Sequence, residues 1–356
     1  MRFEVIARDP GSGLRAGVLH TARGSVPTPS FMPVGTLGSV KALVPREVRA
    51  TGPSIVLANT YHLALQPGIA TVERLGGLHA FMRWDGPLLT DSGEFQVFSL
   101  GGLGEISTAG VTFTSHVDGT PTFFTPECVV EMQVRLGSDL VMPLDECVAA
   151  SASRAETETA LERTRAWWRR SASVGLREHQ ALFALIQGGM FADLRREAAR
   201  AATADRPPGF AIGGLSVGEP KATTFELLEA TVGELPPDLP RYLMGVGHPL
   251  DLASYARLGV DLFDCVLPTR LARNGGVWSD RAGARLDLAQ RRFLTCAGPI
   301  ADDCPCSTCR DWPLGVVAAL FQAREQLAYR LASVHNLAML SAVLRDLRES
   351  VLYTAR

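Results

Sequence analysis

The chain has 356 residues, with 35 Lys or Arg against 37 Asp or Glu and a formal charge of −2. Apolar residues make up 46% and charged residues 20%, which excludes a disordered chain. The near-zero charge excludes a protein that coats nucleic acid non-specifically on surplus Lys and Arg, though not a local basic patch. The N-terminus (MRFEVIARDP) is charged and has no apolar signal-peptide core, and no stretch approaches the roughly 18 uninterrupted apolar residues of a membrane helix. The cysteines number seven. An odd count in a long chain without a leader points to a cytoplasmic protein with reduced thiols, where a tight cysteine cluster holds metal rather than a disulfide.

In chain order, one type of unit recurs: a short apolar run ends in polar or Gly-rich residues, and a helical stretch follows. The runs are 30–35 (SFMPVG), 54–60 (SIVLANT), 87–92 (PLLTDS), 139–146 (DLVMPLDE), 181–188 (ALFALIQG), 209–215 (GFAIGGL), 241–247 (RYLMGVG) and 262–269 (LFDCVLPT). Each is apolar on both faces, as a buried parallel strand is. Amphipathic helical stretches lie between them, for example 126–137, 154–173, 192–203 and 249–259. Eight such units predict an α/β protein of the (β/α)8 TIM-barrel class. Two regions break the pattern. After the third run, 111–117, the turn Asp118-Gly119 and 120–124 predict a β-hairpin insertion. After the eighth, the chain carries a cysteine cluster and then helices. The expected division is a barrel with the active site at 1–270, and a C-terminal zinc-binding helical subdomain with the closing helices at 271–356.

A barrel of this type works at the C-terminal ends of its strands. Those ends carry Asn59, Asp91, Asp145, Gln187, Gly214, Gly247 and Asp264. Asp and Gly after a strand are also ordinary turn residues, but seven of eight units ending this way favours a site. Asp91 and Asp264 are the candidate catalytic pair: one carboxylate can attack or stabilise an anomeric carbon while the other moves a proton. Cys304, Cys306 and Cys309 put three thiols within six residues, and His335, in the helical stretch 321–348, is the natural fourth ligand of a structural zinc site. A redox pair at Cys306 and Cys309 would not need Cys304.

The chain carries, in order, ANTYHL at 58–63, DSGEFQVFSL at 91–100, SHVDG at 115–119, LDEC at 144–147, IQGG at 186–189, GLSVGE at 214–219, MGVGHP at 244–249, FDCVLPTR at 263–270, ARNG at 272–275, CPCSTC at 304–309 and HN at 335–336. In these motifs the sequence resembles the bacterial tRNA-guanine transglycosylases. The resemblance implies exchange of the wobble guanine of tRNAs with GUN anticodons (Asp, Asn, His, Tyr) for a 7-deazaguanine base. It implies that Asp264 is the nucleophile and Asp91 the general base. Ser92, Gly93, Glu94, Phe95, Asp145, Gln187, Gly214 and Leu215 match the base-binding positions, with Phe95 stacking on the base and the Leu215 carbonyl meeting an aminomethyl substituent. Gly245, Val246, Gly247, His248, Pro249, Leu250 and Asp251, and then Thr269, Arg270, Leu271, Ala272 and Arg273, match stretches that contact the tRNA anticodon loop. One structural Zn²⁺ per subunit and a homodimer are implied as well. Val217 in place of a Gly seen in queuine-using relatives, together with Cys147 after Asp145-Glu146, favours 7-aminomethyl-7-deazaguanine as the incoming base.

Glu94 departs from the pattern, standing where the family has a second Gly; a carboxylate beside Asp91 either raises its pKa or points away. Leu271, Thr114 and the Lys/Arg-free 101–108 also depart. The rival readings are a non-catalytic accessory subunit, which predicts loss of the carboxylates, a paralogue acting on another base or nucleic acid, and a nucleoside hydrolase. Between Cys265 and Ile300, Arg270, Arg273, Arg281, Arg285, Arg291 and Arg292 face only Asp280 and Asp287. The balanced total charge therefore conceals a basic stretch beside Asp264, suited to holding and releasing one RNA loop.

Overall fold

The structure, a computed structural model, describes residues 1–93 and 105–354. β1 (Arg2–Arg8), β2 (Arg15–Thr21) and β3 (Gly24–Thr28) form an antiparallel sheet that the sequence reading did not identify. β4 (Ser30–Pro33), β5 (Val56–Asn59) and β6 (Leu88–Asp91) follow. β7 (Glu105–Ile106), β8 (Val111–Thr114) and β9 (Pro121–Phe124) are the predicted hairpin insertion, extended to three antiparallel strands. β10 (Leu140–Val141), β11 (Ala181–Leu182), β12 (Ala184–Ile186), β13 (Phe210–Ile212), β14 (Arg241–Leu243) and β15 (Leu262–Cys265) complete the parallel set, and each lies within one of the eight apolar runs.

The parallel strands form two sheets, β11-β10-β6-β5 and β12-β13-β14-β15-β4. They meet at two seams. At one, Phe183 joins β11 to β12 as the chain changes partners: Phe183 N–H donates to Val141 O (3.1 Å), and Ala184 N–H donates to Gly209 O (3.0 Å). At the other, Val34 and Leu57 form a single parallel bridge between the β4 and β5 segments. Pairing therefore runs from β4 round to β15 and back to β4, the order of an eight-stranded barrel. The outer helices include Pro126–Leu136, Arg154–Ala172, Ala192–Ala204, Lys221–Val232 and Pro249–Ala256. Local sequence sets their starts. The Thr125 side chain accepts from Cys128 N–H (3.1 Å) before Pro126, and Ser153 with Glu156 forms a capping box.

Met32, Leu57, Leu89, Leu140, Phe183, Ala211, Tyr242 and Leu262 pack together inside the ring, and Leu19 and Val26 of the N-terminal sheet join that cluster. Fully burying each large apolar side chain contributes about 1.5–3 kcal/mol, so the sheet is an integral plug and not an appendage. Its anchor is polar. The Arg15 guanidinium holds the Asp261 carboxylate through Nε (2.9 Å to Oδ1) and Nη2, and Asp261 Oδ2 also accepts from Arg241 N–H (2.7 Å). All three groups are buried at the N-terminal end of the barrel, away from the strand ends that carry the candidate site.

Beyond β15 come the helix Leu267–Arg273, the hairpin β16 (Gly276–Trp278) and β17 (Arg285–Asp287), and helices Ser307–Asp311, Leu314–Gln322 and Gln326–Thr354. The helical stretch expected at 321–348 is broken at its start, where Arg324 takes a left-handed conformation (φ 59°) between the last two helices. Helix Gln326–Thr354 is long and apolar enough to cross a membrane, but 72% of its most apolar window is buried inside the protein. It packs on β2, β4 and the helices Pro249–Ala256 and Leu267–Arg273, and Arg348 donates to the carbonyls of Gly17 (2.5 Å) and Thr28 (2.8 Å). Burial, not lipid, accounts for its composition.

Candidate active site

The third and eighth barrel strands present Asp91 and Asp264 at the same rim. Asp91 ends β6, where Asn59 Nδ2 donates to Oδ2 (2.8 Å) and Thr60 N–H to Oδ1 (3.3 Å). Asn59 is the residue paired with Asp91 across β5 and β6, so the barrel register brings the amide to the acid. Desolvation, and then the charge of Asp264, push the Asp91 pKa up to about 8. Asp264 Oδ1 accepts from Tyr242 OH (2.7 Å) and from Gly245 N–H (2.9 Å). Desolvation raises its pKa, while these two donors oppose the rise. The two carboxylates are therefore unequal: Asp91 holds its proton at neutral pH, while the two donors converge on Asp264 and favour its charged form. Tyr242 is fully buried and its pKa is raised well above the usual value, so it stays a phenol and a donor.

Asp145 and Gln187 adjoin this pair. Gln187 Nε2 donates to Asp145 Oδ2 (2.7 Å), and Gln187 Oε1 is buried without a hydrogen-bond partner among the described residues. Burial raises the Asp145 pKa to about 6, opposed by the bonds from Gln187 and Ser92. The loop is braced from outside by Glu146, which takes a two-toothed grip from Arg163 (2.5 and 2.7 Å). Gly214 has φ +65°, and a Cβ there would lie 2.2 Å from Gln187 Oε1, so only glycine fits. Gly93 (φ +81°) is equally constrained, since a Cβ would lie 2.2 Å from Tyr61 Cβ. Beyond Leu215, the Glu219 carboxylate accepts from Ser216 N–H (2.5 Å) and Val217 N–H (2.9 Å). A trans peptide turns the Leu215 carbonyl away from Glu219.

Gly245, Val246, Gly247, His248 and Asp251, together with Ser216, Cys265, Val266, Leu267 and Arg270, line a cavity of about 210 Å³ beside Asp264. Not every side chain in the two expected RNA-contacting stretches faces outward. Val246, Pro249, Thr269 and Ala272 are buried, Leu271 is half-buried, and Leu250 and Arg270 are exposed. Asp251 is engaged by Lys221 (2.7 Å). Burial, and then the neighbouring Arg270, lower the pKa of Arg273, which places two guanidiniums at one edge and favours an anion there.

The ligand atoms of Cys304, Cys306, Cys309 and His335 all lie within 4.8 Å of one another. Tetrahedral Zn²⁺ with bonds of about 2.3 Å to sulfur and about 2.0 Å to nitrogen needs donor spacings of roughly 3.5–3.8 Å. His335 Nδ1 faces Cys306 Sγ (3.8 Å) and Cys309 Sγ (3.2 Å), while Nε2 lies 2.7 Å from the Trp278 carbonyl. That carbonyl accepts only from N–H, so it fixes the tautomer and leaves Nδ1 as the ligand. The residues fit one metal ion. The adjacent Asn336 donates to the carbonyls of Pro268 (3.0 Å) and Gly276 (3.0 Å), and so ties the cluster to the helix that bears Arg270 and Arg273.

Comparison with known proteins matches this arrangement. A profile described as queuine tRNA-ribosyltransferase covers residues 9–354. A queuine tRNA-ribosyltransferase of Dictyoglomus turgidum is 46% identical over 354 residues, spanning 99% of this chain and 91% of the relative. Those of Dehalococcoides mccartyi strain BAV1 (48% over 337 residues; 95% and 86%) and Pelotomaculum thermopropionicum (47% over 349 residues; 98% and 94%) are similar. The chain belongs to the queuine tRNA-ribosyltransferase family. It is an enzyme of that family, as the motif resemblance implies.

Within this ribosyltransferase the structure brings Asp91, Asp145, Gln187, Gly214, Leu215 and Asp264 to one rim, with Ser92 and Gly93 beside Asp91. Glu94 and Phe95 lie outside the described residues. Sequence reasoning missed Tyr242 and Glu219 as partners of the site. It also missed Arg195, on helix Ala192–Ala204. Arg195 is fully buried, and its guanidinium donates to the carbonyls of Gly189 (2.8 Å), Gly213 (3.1 Å) and Gly214 (2.8 Å). Burial lowers its pKa to about 10, which still leaves it charged at neutral pH. The signal was present: Leu194, Ala198 and Ala199 are the buried stripe of that helix, and an arginine interrupts it.

Proposed function

We propose that this enzyme exchanges the wobble-position guanine of GUN-anticodon tRNAs (Asp, Asn, His, Tyr) for 7-aminomethyl-7-deazaguanine, in queuosine biosynthesis. The observation that carries the reading is the asymmetric carboxylate pair: two donors converge on Asp264, and the pKa of Asp91 is raised to about 8. In the first displacement Asp264 Oδ attacks the ribose C1′. The glycosidic bond breaks with its electron pair going to the base, and Asp91 supplies the proton the departing ring needs. In the second, Asp91, now a carboxylate, takes the ring N–H proton of the incoming base. That base attacks C1′, and Asp264 leaves as the free carboxylate. Two displacements at C1′ retain its configuration.

The base edge is read by complementary donors and acceptors. The Asp145 carboxylate matches the ring N–H and amino group, and Gln187 Nε2 with Gly214 N–H matches the carbonyl. Ser92 and Gly93 adjoin this pocket, and the family resemblance assigns base binding to Glu94 and base stacking to Phe95. The Leu215 carbonyl, turned away from Glu219, is the acceptor proposed for an aminomethyl substituent, which is a donor at neutral pH. Val217 supports the same base by occupying space that a larger substituent would need. The stretches 245–251 and 269–273 hold the anticodon loop, with Arg270 and Arg273 toward phosphate. Cys304, Cys306, Cys309 and His335 hold a structural Zn²⁺, whose contribution is local folding energy in a 271–356 subdomain attached to the 1–270 barrel. The protein acts in the cytoplasm as a homodimer. The apolar groove lined by the exposed Leu294 and Val316, with Pro313 and Leu320, offers a surface for the second copy.

The test is incubation with radiolabelled guanine and an unmodified GUN tRNA. The expected result is label entering the tRNA at the wobble position and being chased out by 7-aminomethyl-7-deazaguanine faster than by queuine. No incorporation by zinc-loaded, folded protein contradicts the reading.

A further inference from the structure

Arg195 is a buried cation that makes no direct ion pair among the described residues; Glu219 acts on it only at a distance, and its hydrogen bonds go to backbone carbonyls. Those carbonyls belong to two loops. Nε takes Gly189 O, in the turn that follows Gln187. The Nη1 and Nη2 fork takes Gly213 O and Gly214 O, consecutive groups after β13. A guanidinium presents its five N–H donors in one rigid plane, so a single side chain sets the spacing of the two loops. The peptide between Gly213 and Gly214 is trans, so a carbonyl drawn toward Arg195 points the Gly214 N–H the opposite way. Among the described residues, no protein group accepts from that N–H. A Cβ on Gly214 would lie 3.4 Å from Arg195 Nη2 and 2.2 Å from Gln187 Oε1, so the glycine is wedged between the two side chains.

We propose that Arg195 is a positioning residue that fixes Gly214 N–H and the Gln187 amide at the spacing needed to share the 6-carbonyl oxygen of the bound base, and that it thereby sets the preference for a 6-oxo ring. The proposal rests on the base-exchange reading above. Arg195 itself touches no base. Its charge also polarises both peptides, which makes the outward N–H a stronger donor.

The experiment compares guanine with 6-thioguanine, which keeps the ring N–H and amino group but replaces the carbonyl by a poorer acceptor. Exchange into tRNA is measured for each base with the parent, Arg195→Lys and Arg195→Gln, each checked for zinc content and cooperative unfolding. A lysine keeps the charge but cannot span all three carbonyls; a glutamine keeps a donor without charge. The expected result for both variants is a KM for guanine raised about tenfold, the effect of losing one well-aligned hydrogen bond. The KM for 6-thioguanine rises by about twofold or less. A merely structural arginine raises both KM values by the same factor, and that outcome overturns the proposal. If neither variant folds, hydrogen exchange in the parent decides. Guanine must slow the Gly214 amide at least about tenfold more than 6-thioguanine does, and equal protection overturns the proposal. Failure of the parent to exchange either base defeats the base-exchange reading instead, and shows before any variant is compared.

Discussion

Replacing Asp91 by asparagine is expected to abolish base exchange while stabilising the fold, and to stabilise it more as pH rises. Asp91 has a folded-state pKa of about 8, against an ordinary value of 3.8. Between these values the folded chain keeps a proton that the unfolded chain has released. Stability associated with this group is therefore full below about pH 4 and is lost as pH rises through about 8. A difference of about four pKa units sets a ceiling of about 6 kcal/mol. Asp91 is partly accessible at the rim, and solvent screening reduces this to roughly 2–3 kcal/mol. An asparagine of the same shape still accepts from Asn59 or Thr60 and has no charge to desolvate. Guanidinium unfolding of parent and Asp91→Asn at pH 5, 7 and 9 measures the effect. The variant's advantage should be under about 1 kcal/mol at pH 5 and about 2–3 kcal/mol at pH 9. An advantage that stays constant or shrinks with pH would refute the claim that burial and Asp264 hold a proton on Asp91.

The same proton is expected to govern turnover. The first displacement should fall off as pH climbs past about 8, when Asp91 loses the proton destined for the departing base, and stopped single-turnover assays of adduct formation from pH 6 to 9.5 would show a flat profile if Asp91 were not the donor. Gly214→Ala places a methyl where Gln187 Oε1 stands and asks alanine for φ +65°. A loss in kcat/KM of about 100-fold is expected with little change in zinc content, and retention of more than a tenth of the activity would count against the base-edge assignment. His335→Ala, or chelation, should release zinc and raise hydrogen exchange first in 276–311, and then in Leu267–Arg273, because Asn336 beside His335 holds Pro268 and Gly276. Unchanged exchange in 267–273 would separate the metal cluster from Arg270 and Arg273, the arginines proposed to meet RNA.

The barrel was legible because buried parallel strands are apolar on both faces and are punctuated at their ends, so all eight runs contain an observed strand. The N-terminal sheet was not. In β1 exposure alternates, but the exposed Ile6 between half-buried Val5 and buried Ala7 blurs the alternation in residue type, and its partner β2 is mostly buried, so no single apolar period marks the plug. The metal cluster could be read from local spacing of its cysteines, but the grip of Asn336 and Trp278 on it comes from residues nearly 60 positions apart. Asp91 and Asp264 stood out as strand-ending carboxylates. Their inequality did not, because it depends on which donors the fold delivers: Tyr242 OH and Gly245 N–H go to Asp264, and Asn59 goes to Asp91. Arg195 lies on an outer helix, six residues from Gly189 but nearly twenty from Gly213 and Gly214, and only the assembled loops show that it holds both.

The central claim is that Asp264 becomes covalently attached to the ribose of the wobble nucleotide. The most direct measurement is denaturing electrophoresis of protein mixed with a GUN tRNA and a base too poor to complete the second displacement, followed by mass spectrometry of the shifted band. The account predicts a stable protein–RNA adduct whose attachment maps to Asp264 and which is absent from Asp264→Asn. An adduct at any other residue, or exchange activity retained by Asp264→Asn, would contradict it.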